Sequence, residues 1–196
     1  GEIDEIALMK EGTILVGMLA PTESPARIEA YKKHKIIALA LELMPRLSRA
    51  QSMDGLSSQS NLMGYRAVID AAYEFARAFP MMMTSAGTVA PARVLVLGAG
   101  VAGLQAIATA RRLGAVVSAF DVRPAAKEEV ESLGGRFIEV EDPDATISND
   151  AVYAKEMGED YQRRQRATLH SALEDTDIAI CSALIPGRKA PLLITK

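Results

Sequence analysis

The sequence predicts an α/β protein with two domains, the second of them a partial doubly wound parallel sheet. Short apolar runs rich in Val, Ile and Leu alternate with helical patterns, an order typical of parallel sheets. Residues 36–44 are apolar almost without interruption, as in strands that are covered on both faces. Residues 94–97 lead directly into a glycine-rich turn and an amphipathic segment. We divide the chain into a first domain over residues 1–56, a connecting helix over residues 57–80 and a second domain over residues 81–196.

The first domain is predicted to contain a strand, a helix and a second strand. Residues 13–20 form the first strand, and Ser24 and Pro25 provide an N-cap and a first-turn proline for a helix that ends near Lys33. Residues 36–44 form the second strand. This order predicts a parallel pair in a first α/β layer that is incomplete as given.

A long connecting helix is predicted to begin near Ser57 or Ser58 and to end at Pro80, after about six turns. Its apolar stripe is predicted to face a core and consists of Leu62, Tyr65, Ile69, Ala72, Ala76 and Phe79. The three methionines at residues 81–83 are predicted to fill core space.

The glycine-rich turn has the spacing GxGxxG, with Gly98, Gly100 and Gly103 around Val101 and Ala102. The first glycine permits a tight turn. The second lets the backbone approach a pyrophosphate, and the third lets the helix pack close to the strand. The helix then presents its free N–H groups and the positive end of its dipole to the phosphates. We therefore predict a Rossmann-like dinucleotide-binding domain.

A second apolar run ends at Asp121, about 20 residues after the glycines, where a dinucleotide fingerprint has its acidic residue. A carboxylate can accept hydrogen bonds from both ribose hydroxyls and repels a 2′-phosphate, which favours NAD(H) over NADP(H). Val122 and Arg123 follow it and are included in the predicted cofactor site, although a basic side chain at Arg123 could weaken that rejection.

The second domain is predicted to continue with two more strands and two more helices. Residues 141–161 are acidic and lack periodicity, which favours a mobile functional loop or a disordered insert. In order, the predictions are a strand over residues 115–120, a helix over residues 125–133, a strand over residues 136–140, a helix over residues 160–173 and a strand over residues 177–182.

Composition excludes several classes of function. The net charge of −3 argues against nucleic acid as the main partner, and no apolar run approaches the ~20 residues of a membrane span. Cys181, the single cysteine, is predicted to be a small buried hydrophobe. His34 and His170 are predicted to lie at the surface, and no metal site is predicted.

The segments PRLSRAQSMDG, beginning at Pro45, and AVYAKEMGEDYQ, beginning at Ala151, join the glycine-rich motif in a consistent order. Together they resemble the soluble NAD(H)-binding component, the alpha subunit, of proton-translocating NAD(P) transhydrogenase. The wider superfamily includes alanine dehydrogenase. The resemblance covers nearly the whole chain and implies hydride transfer from NADH, held here, to NADP⁺ on a separate component. A membrane component would couple that transfer to proton translocation.

The resemblance also implies site residues, a dimer and a location. Arg46, Gln51 and Asp54 match residues that the family presents to the nicotinamide, and Ser57 matches a further polar contact. The acidic stretch resembles the family's mobile loop, which closes over bound nucleotide through positions that match Tyr153 and Met157. The implied location is the cytoplasmic side of the bacterial inner membrane, with the mitochondrial matrix as the alternative.

Hydride transfer between two nicotinamides needs no general acid, base or metal from the protein, only alignment of the rings and exclusion of water. Two other functions stay open. One is an alanine-dehydrogenase-like enzyme that oxidises an amino acid with NAD⁺, against which the pattern from Arg46 to Asp54 argues. The other is a nucleotide-binding module without turnover.

Overall fold

The structure is a computed structural model, and it describes residues 4–45, 47–140, 159–185 and 189–194. The chain divides into two compact units, Gly1–Gln59 and Ser60–Lys196. Each unit is described by itself.

The first unit contains two parallel strands with a helix between them. Ile14 pairs with Ile37 and Gly17 with Ala40, so the predicted strand, helix and strand are present, but both strands are shorter than predicted. The first strand is followed by Ala20 at a φ of 47°, and the second gives way to a 3₁₀ helix. In order, the elements are α1 (Glu5–Leu8), β1 (Ile14–Gly17), α2 (Pro25–Lys33), β2 (Ile37–Ala40) and two 3₁₀ helices, Leu41–Leu43 and Ser48–Met53.

The expectation that the second strand is buried on both faces is wrong. Ile37 and Leu39 are each 52% exposed. The buried cluster of this unit consists of Leu19, Tyr31 and Ile36, with other apolar side chains partly buried around it. The described sheet has two strands, so both are edge strands, and the layer that would cover their second face is not present among the described residues.

The helix α3 (Gly55–Glu74) begins two residues earlier than predicted and ends six residues before Pro80. Its predicted apolar stripe is wrong at Leu62 and Tyr65, which are 59% and 48% exposed. Gly64 and Val68 are buried instead. A Cβ atom on Gly64 would lie 2.0 Å from the carbonyl oxygen of Ala102, so the absence of a side chain decides which face of α3 is covered.

A hairpin follows α3, formed by β3 (Met82–Thr84) and β4 (Gly87–Val89). Met81, Met82 and Met83 are 60%, 47% and 84% exposed, so the prediction that they fill core space is wrong. The reason is that the hairpin forms its own two-stranded sheet and, within the described residues, pairs with no strand of the larger sheet.

The larger sheet has four parallel strands in the order β7-β6-β5-β8. Val94 and Val96 of β5 point to one face, where they pack with α4 and α5, and Leu95 and Leu97 point to the other, where they pack with Leu169 of α6. This arrangement confirms the predicted α/β class. The elements are β5 (Arg93–Leu97), α4 (Val101–Arg112), β6 (Val116–Phe120), α5 (Ala126–Ser132), β7 (Arg136–Phe137), α6 (Glu159–Glu174) and β8 (Ile178–Cys181).

Several details of this unit differ from the prediction. The third strand contains two residues instead of five. Cys181 is exposed, because β8 is the edge strand of the described sheet, so the prediction of a buried cysteine is wrong. His170 is exposed as predicted, whereas His34 is half-buried with Nδ1 at 3.0 Å from the carbonyl oxygen of Ala30.

In the part of the chain that the structure describes, no helix combines the length and the apolar character needed to cross a membrane.

Candidate functional site

The glycine-rich turn lies at the carboxyl end of β5 and is held by backbone contacts. Gly98 has a φ of 97°, which only glycine adopts without strain, and its N–H donates to the carbonyl oxygen of Phe120 at 2.8 Å. A Cβ atom on Gly98 would lie 2.7 Å from the backbone nitrogen of Ala183. The first glycine therefore permits both the turn and the close approach of the segment that follows β8.

The other two glycines have different roles. A Cβ atom on Gly103 would lie 1.8 Å from the carbonyl oxygen of Gly98, so the third glycine is required for α4 to pack against the turn. A Cβ atom on Gly100 would meet nothing within 4 Å among the described residues. Gly100 is the N-cap of α4, and Val101 and Ala102 begin the helix. The second glycine thus adjoins open space at a helix N-terminus, where an anion is favoured.

The turn lies where the strand order of the sheet reverses. β5 pairs with β6 on one side and with β8 on the other, so the chain moves outward from β5 in both directions. In open parallel sheets, ligands bind in the crevice at the carboxyl ends of the strands at such a switch point. The glycine-rich turn therefore lies at the position that this fold uses for binding.

Asp121 follows β6 and connects it to the glycine-rich turn. Its Oδ2 accepts a hydrogen bond from the Ala99 N–H at 2.8 Å, and its Oδ1 accepts one from the Arg123 N–H at 2.9 Å. The acidic residue and the glycines, 18 or more positions apart in sequence, thus belong to one hydrogen-bonded unit. Val122, the next predicted site residue, is half-buried and packs against Leu95, Leu97 and Phe120.

Arg123 forms an ion pair with Asp121. Its Nε donates to Oδ1 at 3.0 Å and its Nη2 to Oδ2 at 3.2 Å. Nη2 also donates to the carbonyl oxygen of Ala99 at 3.1 Å. The hydrogen bond with Asp121 raises the pKa of the Arg123 guanidinium above its ordinary value, so the group is charged at every physiological pH.

Sequence reasoning missed the segment that follows β8. The Ser182 hydroxyl donates to the carbonyl oxygen of Gly98 at 2.8 Å, and the Ser182 N–H donates to that of Leu97 at 2.8 Å. The oxygen of this hydroxyl would also be 3.0 Å from a Cβ atom on Gly103. The signal was available, because the residues after the fourth strand of a doubly wound sheet lie beside the first turn.

Three predicted residues lie in the first unit. Gln51 is exposed in the 3₁₀ helix Ser48–Met53. The Asp54 carboxylate accepts from the Ser57 N–H at 2.9 Å and from the Ser57 hydroxyl at 2.7 Å, as an N-cap residue does. Asp54 and Ser57 therefore contact each other at the start of α3. Arg46, Tyr153 and Met157 lie outside the described residues.

The parallel sheet, the switch point and the glycine-rich turn define a Rossmann-type nucleotide-binding fold. Two family models match the chain, "Alanine dehydrogenase/PNT, N-terminal domain" over residues 2–63 and "Alanine dehydrogenase/PNT, C-terminal domain" over residues 67–196. The chain belongs to the alanine dehydrogenase/PNT family, whose members are oxidoreductases that use NAD(H) or NADP(H).

The relatives confirm the resemblance to transhydrogenase. The first of the separate alpha-subunit polypeptides of NAD(P) transhydrogenase from Rhodospirillum rubrum is 64% identical over 194 residues, which is 98% of this chain and 50% of that protein. The protein of the same name from Rickettsia prowazekii is 49% identical over 191 residues, 97% of this chain and 50% of that protein. This chain spans about half the length of these curated relatives.

Solved structures agree on the fold. Transhydrogenase from Sinorhizobium meliloti is 53% identical with a TM-score of 0.84, over 98% of this chain and 51% of that chain. An L-alanine dehydrogenase structure is 22% identical with a TM-score of 0.68, over all of this chain and 48% of that chain, and it supports the fold alone.

Proposed function

We propose that this chain is the NAD(H)-binding component of a proton-translocating transhydrogenase and passes a hydride between NADH and NADP⁺ held by a partner component. The observation that carries the proposal is the hydrogen-bonded unit of the glycine-rich turn and Asp121 at the switch point of the sheet. The identity to the R. rubrum subunit selects transhydrogenase from the activities of the family.

The described residues fit a dinucleotide. The open space beside Gly100, at the N-terminus of α4, suits a pyrophosphate, and the carboxylate of Asp121 suits a ribose diol. When NADH is bound, its nicotinamide supplies the hydride. The residues of this chain hold the adenosine half, orient the nicotinamide and exclude water.

In the first unit we assign Arg46, Gln51 and Asp54 to the nicotinamide end of the dinucleotide. Asp54 also caps α3 through Ser57, so its carboxylate holds the start of a 20-residue helix as well. Gln51 is exposed, as a side chain that reaches toward a second nucleotide must be. We assign Tyr153 and Met157 to a loop that closes over bound nucleotide.

We further propose that the protein is a homodimer that assembles with an NADP(H)-binding component and a membrane component. This assembly would lie on the cytoplasmic side of the bacterial inner membrane. The support is the name of the relatives, which designates one subunit of a larger enzyme.

The decisive experiment measures hydride transfer with and without the partner. The protein, mixed with the NADP(H)-binding component, should reduce an NADP⁺ analogue from NADH, and neither protein alone should do so. Reduction of NAD⁺ by L-alanine without any partner would instead establish an alanine dehydrogenase. Binding of NADH without turnover under either condition would leave a nucleotide-binding module.

Two variants separate binding from transfer. Asp121→Ala should weaken NADH binding by about 1.5–3 kcal/mol, because charge-assisted hydrogen bonds to the ribose are lost. Gln51→Ala should leave NADH binding intact and slow transfer to the nucleotide of the partner. If Gln51→Ala impaired NADH binding alone, the role assigned to Gln51 would be wrong.

A further inference from the structure

The Asp121 carboxylate receives donors of two kinds. Each oxygen accepts one backbone N–H, from Arg123 at 2.9 Å on Oδ1 and from Ala99 at 2.8 Å on Oδ2. Each oxygen also accepts one N–H of the Arg123 guanidinium, at 3.0 Å and 3.2 Å. A carboxylate offers about four acceptor positions, and these four bonds use them.

The two kinds of donor have different consequences. The backbone N–H groups orient the carboxylate and stay in place whatever side chain stands at residue 123. The guanidinium uses the one remaining position on each oxygen. The two hydroxyls of a ribose need the same two positions, because a vicinal diol and the edge of a guanidinium both offer two donors to one carboxylate.

Burial shows that the guanidinium covers the carboxylate. The Asp121 side chain is 8% exposed and that of Arg123 is 19% exposed. The additional hydrogen bond from Nη2 to the carbonyl oxygen of Ala99 holds the guanidinium against the glycine-rich turn. A ribose therefore cannot reach both carboxylate oxygens while the guanidinium keeps this position.

We propose that Arg123 is a specificity-determining residue that competes with the adenosine ribose for Asp121 and must be displaced when a dinucleotide binds. This inference rests on the proposed function. The displaced guanidinium remains two residues from Asp121, where it offers a positive charge to a 2′-phosphate. Arg123 thus lowers the affinity for NADH and weakens the rejection of NADPH by Asp121.

The test compares Arg123→Met with Arg112→Met by titration calorimetry with NADH. Methionine retains much of the length of the side chain and removes every donor. Arg112 lies in the last turn of α4, at the opposite end of that helix from the glycine-rich turn, so its variant loses the same charge. Arg123→Met should bind NADH about threefold to tenfold more tightly, because the competent state no longer competes with the ion pair. Arg112→Met should change the affinity by less than about twofold, since its charge is distant and screened.

A modified ligand identifies the group that competes. With NADH that lacks the adenosine 2′-hydroxyl, the gain from Arg123→Met should be smaller, because that ligand uses one carboxylate position instead of two. In an Asp121→Asn background the gain should disappear, because the guanidinium has lost its anionic partner. A gain that is the same for both ligands and in both backgrounds would overturn the inference.

The outcomes separate this inference from the proposed function. If the unmodified protein binds NADH and Arg123→Met, folded by circular dichroism, binds it equally or more weakly, the competition is overturned and the proposed function stands. If the unmodified protein binds no NADH, the proposed function fails and the inference fails with it. Should Arg123→Met not fold, Arg123→Lys decides. A single ammonium cannot replace the paired donors, so that variant should still bind NADH more tightly than the unmodified protein, and equal or weaker binding would overturn the inference.

Discussion

The two units contain similar apolar strands with different burial. In the first unit, Ile37 and Leu39 of β2 are half exposed, whereas Val94 and Val96 of β5 in the second unit are 2% and 0% exposed. Both runs are apolar almost throughout, and both form parallel strands. The apolar run therefore specifies a strand, and the number of neighbouring strands and covering helices decides whether that strand is buried.

The physical reason lies in the layers of each unit. β5 is a central strand with helices on both faces, so each side chain has a partner layer. β2 belongs to a described sheet of two strands, where a buried cluster forms around Leu19, Tyr31 and Ile36. The site residues follow the same division. The fingerprint of the second unit joins distant segments into one hydrogen-bonded unit, whereas the Asp54 carboxylate of the first unit accepts two hydrogen bonds from its neighbour Ser57.

The largest expected effect is on the core, and it tests the comparison directly. Leu95→Ala should lower the free energy of unfolding by about 2–5 kcal/mol, because Leu95 is 1% exposed and its loss leaves a cavity. Leu39→Ala, at a residue that is 52% exposed, should change it by less than about 1 kcal/mol. Urea unfolding followed by circular dichroism measures both. Equal losses would show that β2 is covered in solution.

A second pair of variants separates packing from binding within the glycine-rich turn. Gly103→Ala should cost about 1–3 kcal/mol, because the new Cβ atom overlaps the carbonyl oxygen of Gly98 and this exceeds the gain in helix propensity. Gly100→Ala should fold normally and bind NADH about tenfold more weakly, because the methyl group enters the space for the pyrophosphate. Thermal unfolding and calorimetry measure the two effects. Normal NADH affinity in Gly100→Ala would contradict the assignment of that space.

A smaller effect is expected at the start of α3. Asp54→Ala should cost about 0.5–2 kcal/mol, because the Ser57 N–H loses the carboxylate that caps the helix. Asp54→Asn retains an acceptor and should lose less than half of that amount. Urea unfolding compares the two variants. If Asp54→Ala left the stability unchanged but slowed hydride transfer, Asp54 would act at the nicotinamide and not as a cap.

The smallest effect concerns the exposed thiol of the second unit. Partial burial raises the pKa of Cys181 above its ordinary value of 9.0, so the folded thiol keeps its proton at pH values where an unfolded one loses it. The stability that this proton contributes is present below pH 9.0 and is lost as the pH rises through the folded pKa. Alkylation with iodoacetamide should therefore be slower at pH 8 than in the urea-unfolded chain. Faster alkylation of the folded protein would indicate an activated thiol.

Much of the second unit could be predicted from local pattern. The strand before the glycines, the turn, the following helix and the end of the next strand at Asp121 are all present. The helices α5 and α6 lie within one or two residues of their predicted bounds. These elements depend on spacing and on backbone preferences that a short stretch of sequence contains.

Other features could not be predicted in this way. The stripe on α3 has the right period but the wrong face, because Gly64 is selected by its approach to Ala102. The methionines of residues 81–83 and the thiol of Cys181 are exposed, since hydrophobic character predicts burial only where a partner layer exists.

By itself, the sequence determined the order of the elements, the conformation of the turn at Gly98 and the position of an acidic residue after β6. These follow from backbone freedom, apolar period and spacing, which act over a few residues. Only the tertiary structure decided which faces are buried, that Ser182 bonds to Gly98 from 84 positions away, and that Arg123 covers Asp121. Those contacts depend on which distant segments meet and on competition for the same acceptor atoms, and no local pattern records either.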